Sequence, residues 1–267
     1  MANWLRIMAK PAVLLWKLWA LFWAYVPVVV LSPLVALVVA LPFPAGFRLF
    51  SLIERTWARL VLLMGGWRIK ILNPEARPTF KRQYIIVANH ESMLDIPVLL
   101  SVIPAPVSFV GKVELARYPV FGWLYRRTNI LVDRSSLESR QQVYRETERY
   151  IRNGINVAIF PEGGIIEDGA LLHPFKAGAF RMAVEHQLPV LPMIFLDNEK
   201  RLSYELFKGS PGKLRVKFLP VFSTDGLKNE DWKDLRDRIY TLMYNELAQQ
   251  KLIDKGLMQP DDHWSPE

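Results

Sequence analysis

The stretch Tyr84-Ile85-Ile86-Val87-Ala88-Asn89-His90-Glu91-Ser92-Met93-Leu94-Asp95-Ile96-Pro97-Val98-Leu99 decides how this chain is read. Its first five residues, Tyr84 to Ala88, have the length and composition of a buried strand. A histidine follows the strand, an aspartate comes five positions later, and the mixed apolar residues after the aspartate can open a helix. A neutral histidine at a strand end serves as a base when a carboxylate from the next element reaches back and fixes its ring. Taken alone, the same pattern also describes an ordinary strand–loop–helix joint with a surface histidine.

The segments on either side repeat this alternation. Phe50 to Leu63 reads as an amphipathic helix that stops near Gly65-Gly66, with strands expected at Trp67–Leu72 and Tyr84–Ala88. A helix over Ile96–Val102 gives way at Pro104 to a strand over Val107–Val110. Ser135 with Glu138 resembles a capping box, and Val143, Thr147, Tyr150 and Ile151 recur at helical spacing behind it. Strands at Ile155–Phe160, Val190–Leu196 and Leu214–Leu219 alternate with helices at Ala177–His186 and from Trp232 to about Lys255. The pattern predicts an α/β fold, a central and mostly parallel mixed sheet flanked by helices. Residues 65–258 form this domain, residues 259–267 a loose tail, and residues 1–64 a separate helical region.

That first region is apolar and basic at once. No residue from Leu18 to Leu41 is charged, and Trp16, Trp19, Phe22, Trp23 and Tyr25 cluster at the start of this run. About 20 apolar residues suffice to span a bilayer, and aromatic rings favour the headgroup level. Pro27, Pro33 and Pro42 divide the run, and basic residues lie on both sides of it. Equal positive flanks oppose a simple crossing, so the segment is read as a kinked helical pair dipping into one leaflet, or a tight hairpin. A signal peptide is a poor fit, because the apolar part is too long and its exit lacks a small-x-small cleavage site.

Composition narrows the chemistry. The formal net charge is +8, and residues 1–60 hold six cations against the single acid Glu54. Without a recognition helix, zinc pattern or aromatic strand motif, that charge points to anionic lipid headgroups and away from nucleic acid. The absence of cysteine excludes disulfides, cysteine nucleophiles and thiolate metal sites, and four histidines argue against a histidine-rich metal centre. Neither a Walker lysine pattern nor a Rossmann spacing surrounds Gly163-Gly164.

Two further groups carry chemistry. In Phe160-Pro161-Glu162-Gly163-Gly164, the proline ends a strand, Glu162 sits at the carboxyl edge of the sheet, and the glycines let backbone approach a ligand closely. Between this group and His90 lie Lys112-Val113-Glu114-Leu115, Pro119-Val120-Phe121-Gly122 and Ile130-Leu131-Val132-Asp133-Arg134. A guanidinium at the end of an apolar run suits a two-pronged contact with phosphate.

Together these segments resemble the glycerolipid (lysophospholipid) acyltransferase family over roughly Trp67 to Ser223. The family's Asn-His-x-Ser-x-x-Asp motif matches Asn89, His90, Ser92 and Asp95. Its second region matches Lys112, Glu114, Pro119, Phe121 and Gly122 and closes on Arg134. Its Phe-Pro-Glu-Gly-Thr-Arg motif matches at Phe160 to Gly163, with Gly164 and Ile165 where relatives carry threonine and arginine. Pro174 to Gly178 and Val190-Leu191-Pro192-Met193 are also family-like.

The resemblance implies transfer of a fatty acyl group from acyl carrier protein or coenzyme A to the sn-2 hydroxyl of 1-acyl-sn-glycerol 3-phosphate. His90 and Asp95 are the expected catalytic pair. Asn89, Ser92, Lys112, Glu114, Arg134, Glu162, Gly163 and Lys176 are the expected substrate-binding residues. No metal and no cofactor beyond the acyl thioester co-substrate is expected. The expected setting is a bacterial cytoplasmic membrane, with the catalytic domain facing the cytoplasm. The departure at Gly164 and Ile165 keeps open a hydroxyacyl amino-acid lipid or another lysolipid as acceptor. A non-catalytic lipid-binding protein is the reading from a different functional class.

Overall fold

The computed structural model describes residues 2–118, 121–132, 137–165 and 169–259, with backbone alone at 2–9, 121 and 137–142. Three helices come first: α1 (Ala2–Val30), α2 (Ser32–Ala40) and α3 (Ala45–Met64). The α/β part follows as β1 (Trp67–Ile71), β2 (Ile85–Ala88), α4 (Asp95–Val102), β3 (Val107–Lys112), α5 (Phe121–Thr128), β4 (Ile130–Val132), α6 (Leu137–Arg152), β5 (Asn156–Ile159), α7 (Gly178–Glu185), β6 (Val190–Phe195), α8 (Asn198–Arg201), β7 (Gly212–Phe218) and α9 (Trp232–Asp254). The strand order is β1-β7-β6-β2-β5-β3-β4. β2 runs parallel to β6 and β3 parallel to β4, whereas β7 is antiparallel to β6. This is the mostly parallel mixed sheet that the alternating sequence predicts. Its middle strands β2, β5 and β6 are buried along their whole length, as continuous apolar runs in a two-sided sheet must be.

Contacts divide the chain into two compact units. One comprises Met1–Lys70, Ser92–Val157 and Asp197–Leu214, and the other Ile71–Glu91, Ala158–Leu196 and Arg215–Glu267.

In the first unit, Pro27 lies inside α1, and the break between α1 and α2 falls at Leu31. Pro33 sits in the first turn of α2, where a missing N–H removes no helical hydrogen bond. Three tryptophans sew α1 to α3. Trp16 and Trp19 donate their indole N–H groups to Gly65 O and Met64 O, carbonyls at the helix end that lack an intrahelical partner. Trp57 donates to Ala24 O. Lys10–Val30 is long and apolar enough to cross a membrane. Leu15, Leu18, Phe22, Tyr25, Val29, Leu34 and Leu37 are large apolar residues left exposed on α1 and α2. A contiguous surface of this kind marks contact with an apolar partner.

In the second unit, Ile85 to Ala88 align with Val190 to Met193, residue for residue. Phe180 of α7 and Ile239 and Met243 of α9 are buried in the same unit. Arg215 pairs with Asp254 through two parallel N–H···O contacts at 2.7 and 2.8 Å, fastening the end of α9 to β7.

Candidate active site

The β2 strand delivers its histidine through a side chain that imitates backbone. Asn89 is 1 % exposed; its Nδ2 donates to Phe195 O at 3.0 Å and its Oδ1 accepts from Phe195 N at 2.8 Å. The amide thereby continues the β2–β6 ladder one step beyond the Ala88–Met193 pair, and His90 follows on a fixed stem. Asn89 is among the expected substrate-binding residues, and both ends of its amide are engaged in holding this stem. The His90 ring stacks on Phe160, centroids 4.1 Å apart and planes 15° apart, so its plane is set while its nitrogens lie at the edge.

Glu162 braces the surrounding loops. Its Oε1 accepts from His90 N at 2.9 Å and its Oε2 from His173 N at 2.7 Å. The side chain is buried, and burial pushes its carboxyl above the usual carboxylate range. The N–H groups of His173 and His90, and then the two histidine charges, pull it part of the way back. Gly163 has φ +81°, a left-handed backbone that favours glycine, and the end of the flexible Lys176 side chain lies against it. Lys176 N also donates to Pro161 O, which closes the Pro161–Lys176 loop at its base. At Gly164 a Cβ would meet nothing within 4 Å among the described residues.

The aspartate is held in the first unit by a turn and a distant amide. Ser92 N donates to Asp95 Oδ2 at 3.0 Å, and Leu94 N donates to Ser92 Oγ at 3.2 Å. With Asp95 N donating to Ser92 O, these bonds close the turn that leads into α4, so one function of Asp95 is structural and local. Its Oδ1 accepts from Asn198 Nδ2 at 2.7 Å, and Ser92 Oγ donates to Leu202 O at 2.8 Å. Ser92, Asp95 and Asn198 have no exposed surface, and each of these hydrogen bonds offsets part of the cost of that burial. Ser92, also among the expected substrate-binding residues, is buried and hydrogen-bonded within these loops.

Two of the remaining expected residues belong to the first unit. Lys112 ends β3 and Glu114 lies in the 3₁₀ turn Val113–Arg117, both exposed. Arg134, Pro119, Ser135 and the tail beyond Gln259 lie outside the described residues. Asn198 escaped the sequence reading, because nothing in Leu196-Asp197-Asn198 beyond a polar pair after a strand signals its role. The backbone of His173 escaped it as well, since no side-chain pattern marks a main-chain donor.

The second unit thus holds a strand-end histidine and a glutamate-braced glycine loop, and the first a buried, hydrogen-bonded aspartate. Comparisons with known proteins put this α/β chain among acyl-transferring enzymes. The acyltransferase family model matches residues 68–196. A 1-acyl-sn-glycerol-3-phosphate acyltransferase of Limnanthes douglasii is 33 % identical over 199 residues, 73 % of this chain and 68 % of that one. The enzyme of the same name from Cocos nucifera is 28 % identical over 225 residues, 82 % of this chain and 72 % of that one. The crystal structure of the 1-acyl-sn-glycerophosphate acyltransferase PlsC from Thermotoga maritima has the same fold, with a TM-score of 0.72 at 22 % identity over 98 % of this chain and 100 % of that one. The chain belongs to the glycerolipid acyltransferase family, and it is an enzyme.

Proposed function

We propose that this enzyme acylates the free sn-2 hydroxyl of 1-acyl-sn-glycerol 3-phosphate, forming phosphatidic acid, with acyl carrier protein or coenzyme A as thioester donor. His90 takes the hydroxyl proton as the oxygen attacks the thioester carbonyl carbon. The C–S bond then breaks, and the departing thiolate receives a proton from the imidazolium. Asp95 holds the other ring N–H, selecting the tautomer and stabilising the imidazolium. The observation that carries this reading is the fixed stem of His90, with its ring stacked on Phe160 and its backbone N–H donated to Glu162. Lys176 beside Gly163 and the cation at Arg134 are assigned to the acceptor's phosphate. Lys112 and Glu114 are assigned to the acceptor as well, and no metal or further cofactor takes part.

The exposed apolar surface of α1 and α2 supports attachment to one leaflet, which we assign to the cytoplasmic face of a bacterial inner membrane. A hydroxyacyl amino-acid lipid as acceptor is favoured by one observation, the glycine and isoleucine at 164 and 165, with no described residue within 4 Å of where a Cβ at Gly164 would stand.

Turnover of labelled acyl thioester with lysophosphatidic acid and with a hydroxyacyl amino-acid lipid, in wild type and Arg134→Ala, separates the two. A phosphate acceptor predicts a rise in acceptor KM equivalent to about 1.5–3 kcal/mol for the lost charge-assisted contact, with the donor KM unchanged. An unchanged acceptor KM with faster turnover of the amino-acid lipid assigns the second acceptor.

A further inference from the structure

Lys17 departs from its expected place among the basic flanks of the apolar run. It is 6 % exposed, and its ammonium donates to Ser203 O at 2.7 Å and Glu205 O at 2.5 Å. A lysine withdrawn from water onto backbone carbonyls is costly unless it fixes something in place. What it fixes is the loop between α8 and β7.

The stems of that loop are tied together by Arg201, which donates to Lys213 O, Ser210 Oγ and Pro211 O, while Ser210 N returns a bond to Arg201 O. Gly209, at φ +139°, sits against α1 so closely that a Cβ there would lie 3.1 Å from the Trp16 ring. Lys10 Nζ lies 5.6 Å from the Phe207 ring centroid. The loop therefore runs beside Lys10 to Lys17, the beginning of the apolar stretch of α1. Its tip nevertheless leaves Tyr204, Leu206 and Phe207 at 50 %, 56 % and 44 % exposure. A braced loop that presents three large apolar side chains is not explained by its own packing.

We propose that the loop over 203–208 is a second lipid-contacting element, which places Tyr204, Leu206 and Phe207 in the headgroup boundary of the bilayer that α1 engages. The proposal rests on the reading of α1 as a membrane anchor. It fits the position of the tip beside the start of the apolar stretch of α1, and the cation Lys10 over the Phe207 ring suits anionic headgroups, whereas Lys208 is paired with Glu205 of the loop itself. The same segment reaches the aspartate, through Asn198 to Asp95 and Leu202 to Ser92. Lipid contact at the tip thus sets the distance of that carboxylate from the membrane surface.

The chain has no cysteine, so L206C and L15C each create a unique site for an environment-sensitive dye in the full-length protein. On vesicles of phosphatidylcholine and phosphatidylglycerol, both labels should shift to the blue and be quenched by brominated acyl chains. A response at L15C with none at L206C overturns the loop and leaves the anchor standing; silence at both overturns the two together. A response at L206C to soluble acyl carrier protein but not to vesicles assigns the face to a protein partner and overturns the proposal. The triple variant Y204S/L206S/F207S should lose about fivefold in turnover of acceptor held in vesicles, because interfacial affinity scales with buried apolar area. Turnover of a short-chain monomeric acceptor should be unchanged. Equal loss on both acceptors means that the side chains only support the fold, and overturns the proposal.

Discussion

Asp95 and Glu162 are both carboxylates withdrawn from water, but they are held by different means. Asp95 receives one backbone N–H from its own turn and one side-chain amide from Asn198, so a helix start and a remote residue share it. Glu162 receives two backbone N–H groups, from His90 and His173, and so bridges two loops. Glu54 in α3 supplies the limiting case. Its Oε2 is buried with no hydrogen-bond partner among the described residues, and burial raises its carboxyl to about 8. The series shows how far donors counter desolvation. Two N–H groups hold Glu162 closer to the ordinary range than burial alone would leave it.

The comparison is tested most severely at the chemistry. His90→Ala should lower kcat by about 10²–10⁴-fold, the usual contribution of a positioned base. Asp95→Asn should cost at least about tenfold, by disturbing the tautomer that its carboxylate selects. Circular dichroism should show both variants folded. Comparable kcat in either would remove that residue from the pair, and for Asp95 would leave only its bonds to Ser92 and Asn198.

Glu162→Gln comes next. A glutamine offers one oxygen to two N–H groups and turns its NH₂ toward the second. One charge-assisted bond of about 1.5–3 kcal/mol is lost, so kcat should fall about 10- to 100-fold. If activity is retained, the loops do not depend on the carboxylate.

Asn198→Ala isolates the remote half of the Asp95 network. It leaves Oδ1 without its amide and should cost about 1–3 kcal/mol in stability. As a positioning residue, Asn198 should lower kcat and shift the acidic limb of its pH profile, with KM nearly unchanged. Loss of stability with the profile unmoved would make its role purely structural.

The smallest effect is expected at Glu54. A carboxyl whose folded pKa is raised favours the fold fully below its ordinary value of 4.5. That contribution is lost as pH rises to about 8. The wild-type melting temperature should therefore fall over this window, while Glu54→Gln should flatten the slope and melt a few degrees higher near pH 8. Parallel profiles would mean that water reaches the carboxyl.

Much of this was legible in the chain. Strands β2, β5 and β6 declare themselves as short apolar runs bounded by polar or proline residues, and each boundary falls within two residues of its expected place. The turn between Ser92 and Asp95 is visible in the sequence as polar residues between an apolar run and the start of a helix. The helix α5 was not foreseen, because Phe121-Gly122-Trp123-Leu124-Tyr125-Arg126-Arg127-Thr128 mixes aromatics with paired arginines and carries no entry cap. At four residues, α8 is too short to show a period.

The sequence by itself determined the alternation of strands and helices, the uncharged aromatic stretch at the start, and the motif residues around His90 and Glu162. These are local properties, set by side chains within a few positions of one another. Tertiary structure alone decided that Asn198 meets Asp95 across 103 positions, that Glu162 reaches His90 across 72, and that Lys17 closes on Ser203 across 186. Such pairs depend on strand order and on which polar groups are left buried together, and no local pattern encodes either. Burial then made each of these contacts necessary, because a polar group taken from water must find a partner wherever the fold has placed one.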